Sequence, residues 1–417
     1  MIHPALNDMG TLGADQPGQT DEGSAAGATT GHAEIRDVHP RGSQPIARGA
    51  ARQETDHPRR RRARPLRQDQ GGQHALGAAG LERRDDVEHF SVGVCYTHGV
   101  KLKTLAKHSV LLTCAYYLFD DWRTRRRWAA GRLDTTSGTR HAQLDLDASL
   151  AYIEKVYADY LAYAGCPRFT GRVAEIGPGD NFGVALLLLG HGAEEVHAID
   201  RYRPQRDPVR QAAIYQALAD RHGLADRFTG PPGEATLRGL HYHPGRPAET
   251  FFHSTSIRFN AILSRAVIEH LYDPAAALTD MFRAVQPGGV MVHRIDLRDH
   301  GMFTGHHPLT SLTIPEAVYR RMTRGSGRPN RVLLPAYRNW LEASGARGSL
   351  RITRLAGVEA EVGPADWDNL DPALTRRALE CVAAVRPSLA AGFKNLPDED
   401  LAVSGCLLVA RRPDAPA

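Results

Sequence analysis

The sequence predicts an α/β fold in which a parallel sheet is covered by helices on both faces. Three observations point there. From residue 144 onward, short apolar runs rich in Val, Ile and Leu alternate with segments of helical period. A glycine-rich turn directly follows the first of those runs and opens a helix. The 417 residues are 42% hydrophobic and 24% charged, enough apolar material to bury a core.

Taken in order, residues 1–89 stand apart. They hold no Phe, Tyr, Trp or Lys but 12 Gly, and their 12 Arg nearly balance 13 acidic residues. Such a stretch buries too little apolar area to offset the entropy of ordering, so it is expected to be a disordered tail. Within it, Arg59–Arg62 reads as a solvated run, with a polyanion patch as the second reading. Residues 90–143 form a separate N-terminal segment of unassigned role. Its apolar part, 110–119, is stopped by Asp120 and Asp121 and reads as a buried helix or strand, too short to span a bilayer. Residues 133–143 read as a linker.

The region 144–412 is the expected globular domain. Leu146, Leu150, Ile153, Tyr157, Tyr160 and Leu161 fall at helical spacing, with Gly165 as the C-cap. Strands follow at 173–176, 195–199, 240–243, 259–264, 290–297, 351–355 and 401–410. Helices are expected at 181–189, 209–222 (ending at Gly223) and 274–285. Gly288 and Gly289 turn the chain into the fifth strand. Residues 301–345 form an insertion: Thr313 and Glu316 have capping-box spacing, and a second helix, 333–343, ends at Gly345. Arg320, Arg321, Arg324, Arg328 and Arg331 give this insertion a positive excess. It reads equally as a recognition surface for a phosphate or carboxylate and as a solvated face.

Composition excludes several functional classes. No apolar run approaches the ~20 residues of a transmembrane helix. The first thirty residues lack the apolar stretch of a secretory signal. Five scattered cysteines without a C-x-x-C argue against a disulfide framework and for a cytoplasmic protein. The net charge of +5 comes with 47 Arg against 5 Lys, and no aromatic residues interleave with the arginines of the insertion, so nucleic acid is not the expected partner.

The chemistry concentrates in a few motifs. Glu175-Ile176-Gly177-Pro178-Gly179-Asp180-Asn181-Phe182-Gly183 joins a strand end to a helix, with glycines where the backbone must turn sharply beside a ligand. Asp200 closes the next strand, 23 residues after Gly177, where an acid accepts hydrogen bonds from ribose hydroxyls. After the fourth strand stands Ile-Leu-Ser-Arg-Ala-Val-Ile-Glu-His-Leu (262–271), and before the fifth Gln-Pro-Gly-Gly (286–289).

In this order the four motifs resemble the class I S-adenosylmethionine (SAM)-dependent methyltransferases, and in particular the bacterial type 11-like group. The resemblance covers roughly 145–412. It implies a Rossmann-like, doubly wound seven-stranded sheet with the last strand antiparallel, and SAM as cofactor. It further implies that Glu175 lies near the cofactor's methionine amino group, that Gly177 and Gly179 let the loop pass the methionine and ribose, and that Asp200 binds the ribose. Glu249 would frame the adenine, and Ser264 and Arg265 would sit beside the reacting methyl. Asn181 stands where many relatives carry a third glycine.

Proton-removing candidates follow the fifth strand: Asp296, Asp299, His300, His306 and His307. Imidazole titrates near neutral pH and suits deprotonation of a hydroxyl. Three readings of this loop stand: a base and substrate loop, a structural polar loop, or a metal site. The spacing fits no standard metal pattern, so no metal is assigned. Glu269 and His270 read as the start of a helix, with Glu at its positive end. The expected activity is therefore methyl transfer from SAM to an oxygen or nitrogen of a small-molecule, sugar or lipid-precursor acceptor, an anionic one if the insertion arginines recognise it. An RNA or protein methyltransferase, a nicotinamide-dependent oxidoreductase and a non-catalytic SAM-binding module are the alternatives.

Overall fold

A computed structural model describes residues 109–132, 134–135 and 138–414. The readings of the tail 1–89 and of Arg59–Arg62 lie outside these residues.

Along the described chain the elements are α1 (Val110–Ala129), β1 (Asp134–Thr135), α2 (Leu146–Ala164), β2 (Gly171–Ile176), α3 (Gly183–Gly190), β3 (Ala193–Asp200), β4 (Arg203–Pro204), α4 (Pro208–His222), β5 (Leu240–Pro244), α5 (Ala248–Ser254), β6 (Phe259–Arg265), α6 (Pro274–Ala284), β7 (Val285–Asp296), α7 (Glu316–Thr323), α8 (Leu334–Ala343), β8 (Arg347–Leu355), α9 (Pro372–Val385), α10 (Asp398–Ala402) and β9 (Val403–Arg411). Seven strands form one sheet in the order β5-β3-β2-β6-β7-β9-β8. The pairs from β5 to β7 are parallel, and β9 runs antiparallel to both its neighbours, as expected for the last strand.

Alternation along the strands separates two cores. Val173, Val196, Ala261, Leu263, Val290, Val292, Leu407 and Val409 face one side, where α2, α3 and α4 pack. Ala174, Ile176, Ile262, Met291, Cys406 and Leu408 face the other, beneath α5, α6, α8 and α9. The two-residue period of a strand buried on both faces requires this division. Helix α3, Gly-Val-Ala-Leu-Leu-Leu-Leu-Gly, is apolar on every side, and nearly all of it is buried.

Several helices start on an aspartate cap. Asp145 accepts from Ala148 N, Asp207 from Val209 N and Asp273 from Ala276 N. Gly165 and Gly223 close α2 and α4 in the left-handed conformation.

Several expectations need correction. Helix α1 continues past Asp120 and Asp121 to Ala129, and Asp121 is buried inside it. Its carboxylate accepts from Gly325 N (2.8 Å) and Arg125 Nε (2.9 Å), so an acid that reads as a stop signal is a tertiary anchor. Helix α1 is also only partly buried: Leu111 and Phe119 are exposed, while Cys114 and Tyr117 pack on Tyr319 and Met322 of α7. The capping box does not form. Thr313 Oγ1 bonds to Thr310 O in the preceding 3-10 turn, and Glu316 pairs with Arg331. The Gly288–Gly289 turn lies within the β6–β7 ladder as a register shift. Helices α5 and α9 were not expected.

Candidate active site

Outward from β2 the chain adds β3 and β5 on one side and then, from β6 on, builds the other side, so the strand order reverses between β2 and β6. In an open α/β sheet the crevice beyond the carboxyl ends at such a reversal is where ligands bind. The loops that follow β2, β3, β6 and β7 all open there.

The loop after β2 has the conformation its glycines predict. Gly177 and Gly179 lie at φ +70° and +75°. A Cβ on Gly177 would fall 2.6 Å from Val267 Cγ2, and one on Gly179 2.9 Å from the carbonyl oxygen of Gly138. Asn181 suits the helix entry, since its Oδ1 accepts from Gly183 N (2.7 Å). Arg206 bonds Gly179 O (3.1 Å) and stacks over Phe182 and Tyr242, which fixes the loop from outside.

Residues 138–142, expected to be linker, close over this loop. Asp180 N donates to Gly138 O (3.1 Å), and the Asp180 carboxylate accepts from Ala142 N (3.0 Å) and, at 3.4 Å, from His141 N.

Glu175 sits at the end of β2, 5% exposed, and its Oε2 has no hydrogen-bond partner. Burial pushes its carboxyl up to about 8. A buried carboxylate oxygen without a donor calls for a cationic or N–H-bearing ligand. At the end of β3, Asp200 Oδ1 accepts from Tyr202 N (3.0 Å), and burial raises this carboxyl to about 6 against the pull of Arg206 and Arg201. Glu175, the glycine loop and Asp200 thus present an orphan acid, a bare backbone and a second acid around one crevice. These features fit the ammonium, chain and ribose of SAM.

Three other predicted cofactor residues are engaged elsewhere. Glu249, at the start of α5, accepts from Arg201 (2.6 Å) and from Tyr272 N (3.1 Å). Ser264 is fully buried, and its hydroxyl is bonded to His293 Nδ1 (2.8 Å) across the β6–β7 pair. The guanidinium of Arg265 is held by Asp159 of α2 (2.8 Å).

The loops after β6 and β7 meet in a polar cluster that joins residues far apart in sequence. Glu269, within the 3-10 turn Ile268–His270, is 1% exposed, and no side-chain donor lies within hydrogen-bond distance of its carboxylate oxygens. Its Oε1 lies 3.6 Å from His300 Nε2, and Asp296 Oδ2 lies 3.7 Å from the same nitrogen. The rings of His270 and His300 meet edge to face at 4.9 Å. Burial and the charge of Asp296 push the Glu269 carboxyl well up. The reading of Glu269 as a helix-start residue is therefore corrected: its side chain faces inward, into the cluster.

His300 has φ +51°, a left-handed conformation uncommon outside glycine. Segment 325–330 braces this cluster from the insertion. His270 Nδ1 bonds Gly327 O (2.8 Å), and Asn330 Nδ2 donates to Ile268 O and Leu271 O.

Most of the other proton-removing candidates are engaged by neighbours. Asp296 accepts from Arg298 Nε (2.9 Å) and Nη2 (2.6 Å), and those bonds with the nearby positive charges hold its carboxyl down to about 2 despite burial, so it is a weak base. Both nitrogens of His307 are occupied: Nδ1 accepts from Leu309 N (3.2 Å), and Nε2 is 3.5 Å from Cys381 Sγ. His306 lies in the adjoining turn with its backbone N–H on Phe303 O and its Nε2 buried without a hydrogen-bond partner, and Asp299 caps that turn through Gly301 N and Phe303 N. Of the insertion arginines, Arg328 pairs with Asp120 and stacks on Tyr117, and Arg331 pairs with Glu316 and donates to Ser311 O. Arg320, Arg321 and Arg324 remain exposed.

Residues 149–350 match a family model described as a methyltransferase domain. The chain carries a class I, SAM-dependent methyltransferase domain. Its cofactor is SAM. No curated protein sequence matches the chain.

Among solved structures it is similar to the [4+2]-cyclase SpnF (14% identity, 63% of this chain and 81% of that one, TM-score 0.33). It is also similar to phosphoethanolamine N-methyltransferase 2 of Haemonchus contortus (15%, 63% and 53%, 0.33). A third is the N-methyltransferase NodS of Bradyrhizobium japonicum (14%, 67% and 97%, 0.31). The match spans about half the length of the Haemonchus enzyme. Among the described residues, no helix is long and apolar enough to cross a membrane.

Proposed function

We propose that this methyltransferase domain, taken as residues 144–412, transfers the methyl group of SAM to an oxygen or nitrogen of a small-molecule, sugar or lipid-precursor acceptor. The observation that carries this reading is the polar cluster of Glu269, Asp296 and His300 at the carboxyl edge of β6 and β7. Oxygen and nitrogen nucleophiles shed a proton on methylation, and a buried imidazole between two carboxylates is suited to accept it.

Bound SAM supplies an electrophilic methyl on a sulfonium centre, so the protein's task is alignment and proton removal. Glu175 would meet the methionine ammonium, Gly177 and Gly179 would give the chain its passage, and Asp200 would hold the ribose hydroxyls. His300 would take the acceptor's proton, with Asp296, kept ionised by Arg298, favouring the imidazolium. The insertion 301–345 would line the acceptor side. Its exposed Arg320, Arg321 and Arg324 suit an acceptor with an anionic group. The unbridged Cys114, Cys166, Cys381 and Cys406 suit a cytoplasmic setting.

The test is to incubate the full chain with SAM and a panel of hydroxyl- and amine-bearing small molecules, and to follow S-adenosylhomocysteine by mass spectrometry. Turnover with such an acceptor, slowed about a hundredfold or more in His300→Ala, supports the reading. Turnover only with RNA or protein substrates overturns it.

A further inference from the structure

We propose that Glu269, His270 and His300 form a binding site for a divalent transition-series cation such as Zn2+ or Mn2+. One donor atom from each residue lies within 4.8 Å of the other two. The residues come from two neighbouring loops, after β6 and after β7, so the site exists only in the folded sheet.

Glu269 supplies the independent observation. It is 1% exposed, no side-chain donor lies within hydrogen-bond distance of either carboxylate oxygen, and Oε1 lies 3.6 Å from His300 Nε2. A carboxylate buried this deeply without a cationic partner is costly, and a cation between it and the two imidazoles removes that cost. The separation is also right in kind. Ligand atoms about 2.1 Å from a tetrahedral ion stand about 3.4 Å apart.

His270 shows the outer support that metal-bound histidines carry. Its Nδ1 lies 2.8 Å from Gly327 O, a carbonyl that only accepts. The proton therefore sits on Nδ1, and the lone pair on Nε2. Gly327 belongs to the segment that Asn330 ties to Ile268 O and Leu271 O, so the ring is fixed by the insertion.

Two imidazoles and one carboxylate favour Zn2+, Mn2+, Fe2+ or Co2+ over Mg2+ and Ca2+. A bound cation takes the lone pair of His300 and so displaces the proton that this residue would otherwise accept; cation loading should therefore slow the methyl transfer proposed above. That consequence rests on the methyl-transfer reading; the cation site does not.

The test uses the full chain, stripped with chelator and dialysed against CoCl2 or ZnCl2. One equivalent bound per chain is expected, with the visible absorption of Co2+ in nitrogen and oxygen ligation. Glu269→Gln and His300→Ala should each weaken binding at least about tenfold, while His307→Ala leaves it unchanged. Pulsed EPR of the Mn2+-loaded wild type, which needs no variant, should show imidazole nitrogen coupling.

Binding that is equal in wild type and His300→Ala, or a spectrum without imidazole coupling, overturns the site. SAM titrated into the same stripped sample keeps the two claims separate. SAM binding without cation binding contradicts only the cation site.

Discussion

At the scale of single residues, the crevice proposed for the cofactor presents two acids in different states. Asp200 keeps a carboxyl raised to about 6, so it is largely ionised at neutral pH and available to ribose hydroxyls. Asp200→Ala should weaken SAM binding roughly ten- to a hundredfold, the worth of one charge-assisted hydrogen bond. In the wild type, affinity should fall as pH drops below about 6; both are read by calorimetry.

Glu175 holds a carboxyl raised to about 8 in a folded protein without ligand, against 4.5 ordinarily. Between those values the folded state carries a proton that the unfolded chain has lost, so this residue makes stability fall as pH rises from about 4.5 to about 8. Glu175→Gln should flatten that part of the curve in urea titrations. An ammonium beside Glu175 would ionise it, so SAM binding at pH 7 should release a proton. That release appears as a buffer-dependent binding enthalpy and should vanish in Glu175→Gln.

At the scale of elements, the loop 177–183 and the segment 138–142 are one unit. Gly177→Ala forces a side chain into a left-handed backbone and against Val267 Cγ2. It should cost about 1–2 kcal/mol of stability from the backbone alone, with a larger loss of SAM affinity. Thermal melts with and without SAM separate the two. Helix α1 is the other coupled element: Asp121→Ala leaves Gly325 N without its acceptor and should loosen segment 325–330, lowering the melting temperature.

The glycine loop, the strands and most capped helices were legible because their signals are local. The same local signal, an Asp N-cap followed by Pro, opens α4, α6 and α9 at Asp207–Pro208, Asp273–Pro274 and Asp371–Pro372. Asp121 was misread because a buried acid satisfied by a distant backbone N–H looks, in sequence, like a surface stop. The clasp of 138–142 on Asp180 is likewise a tertiary contact with no sequence period.

At the scale of the molecule, the reversal between β2 and β6 brings four loops to one crevice. The first half of that site, Glu175 to Asp200, could be read from spacing, because one strand-turn-helix-strand unit builds it. The second half could not. Glu269 meets His300 only because β6 and β7 are neighbours, and a buried carboxylate is indistinguishable from a helix-start acid until the fold is known. Asp296 and His307 carried the right chemistry in the right loop, but Arg298 and Cys381 claim them.

The account rests on SAM occupying the crevice between the glycine loop and Asp200. Calorimetric titration of the full chain with SAM, and with NAD as control, tests this most directly. The account predicts one SAM bound per chain, weakened in Asp200→Ala, and no heat from NAD. Binding of NAD without SAM, or SAM binding unchanged by Asp200→Ala, would contradict it.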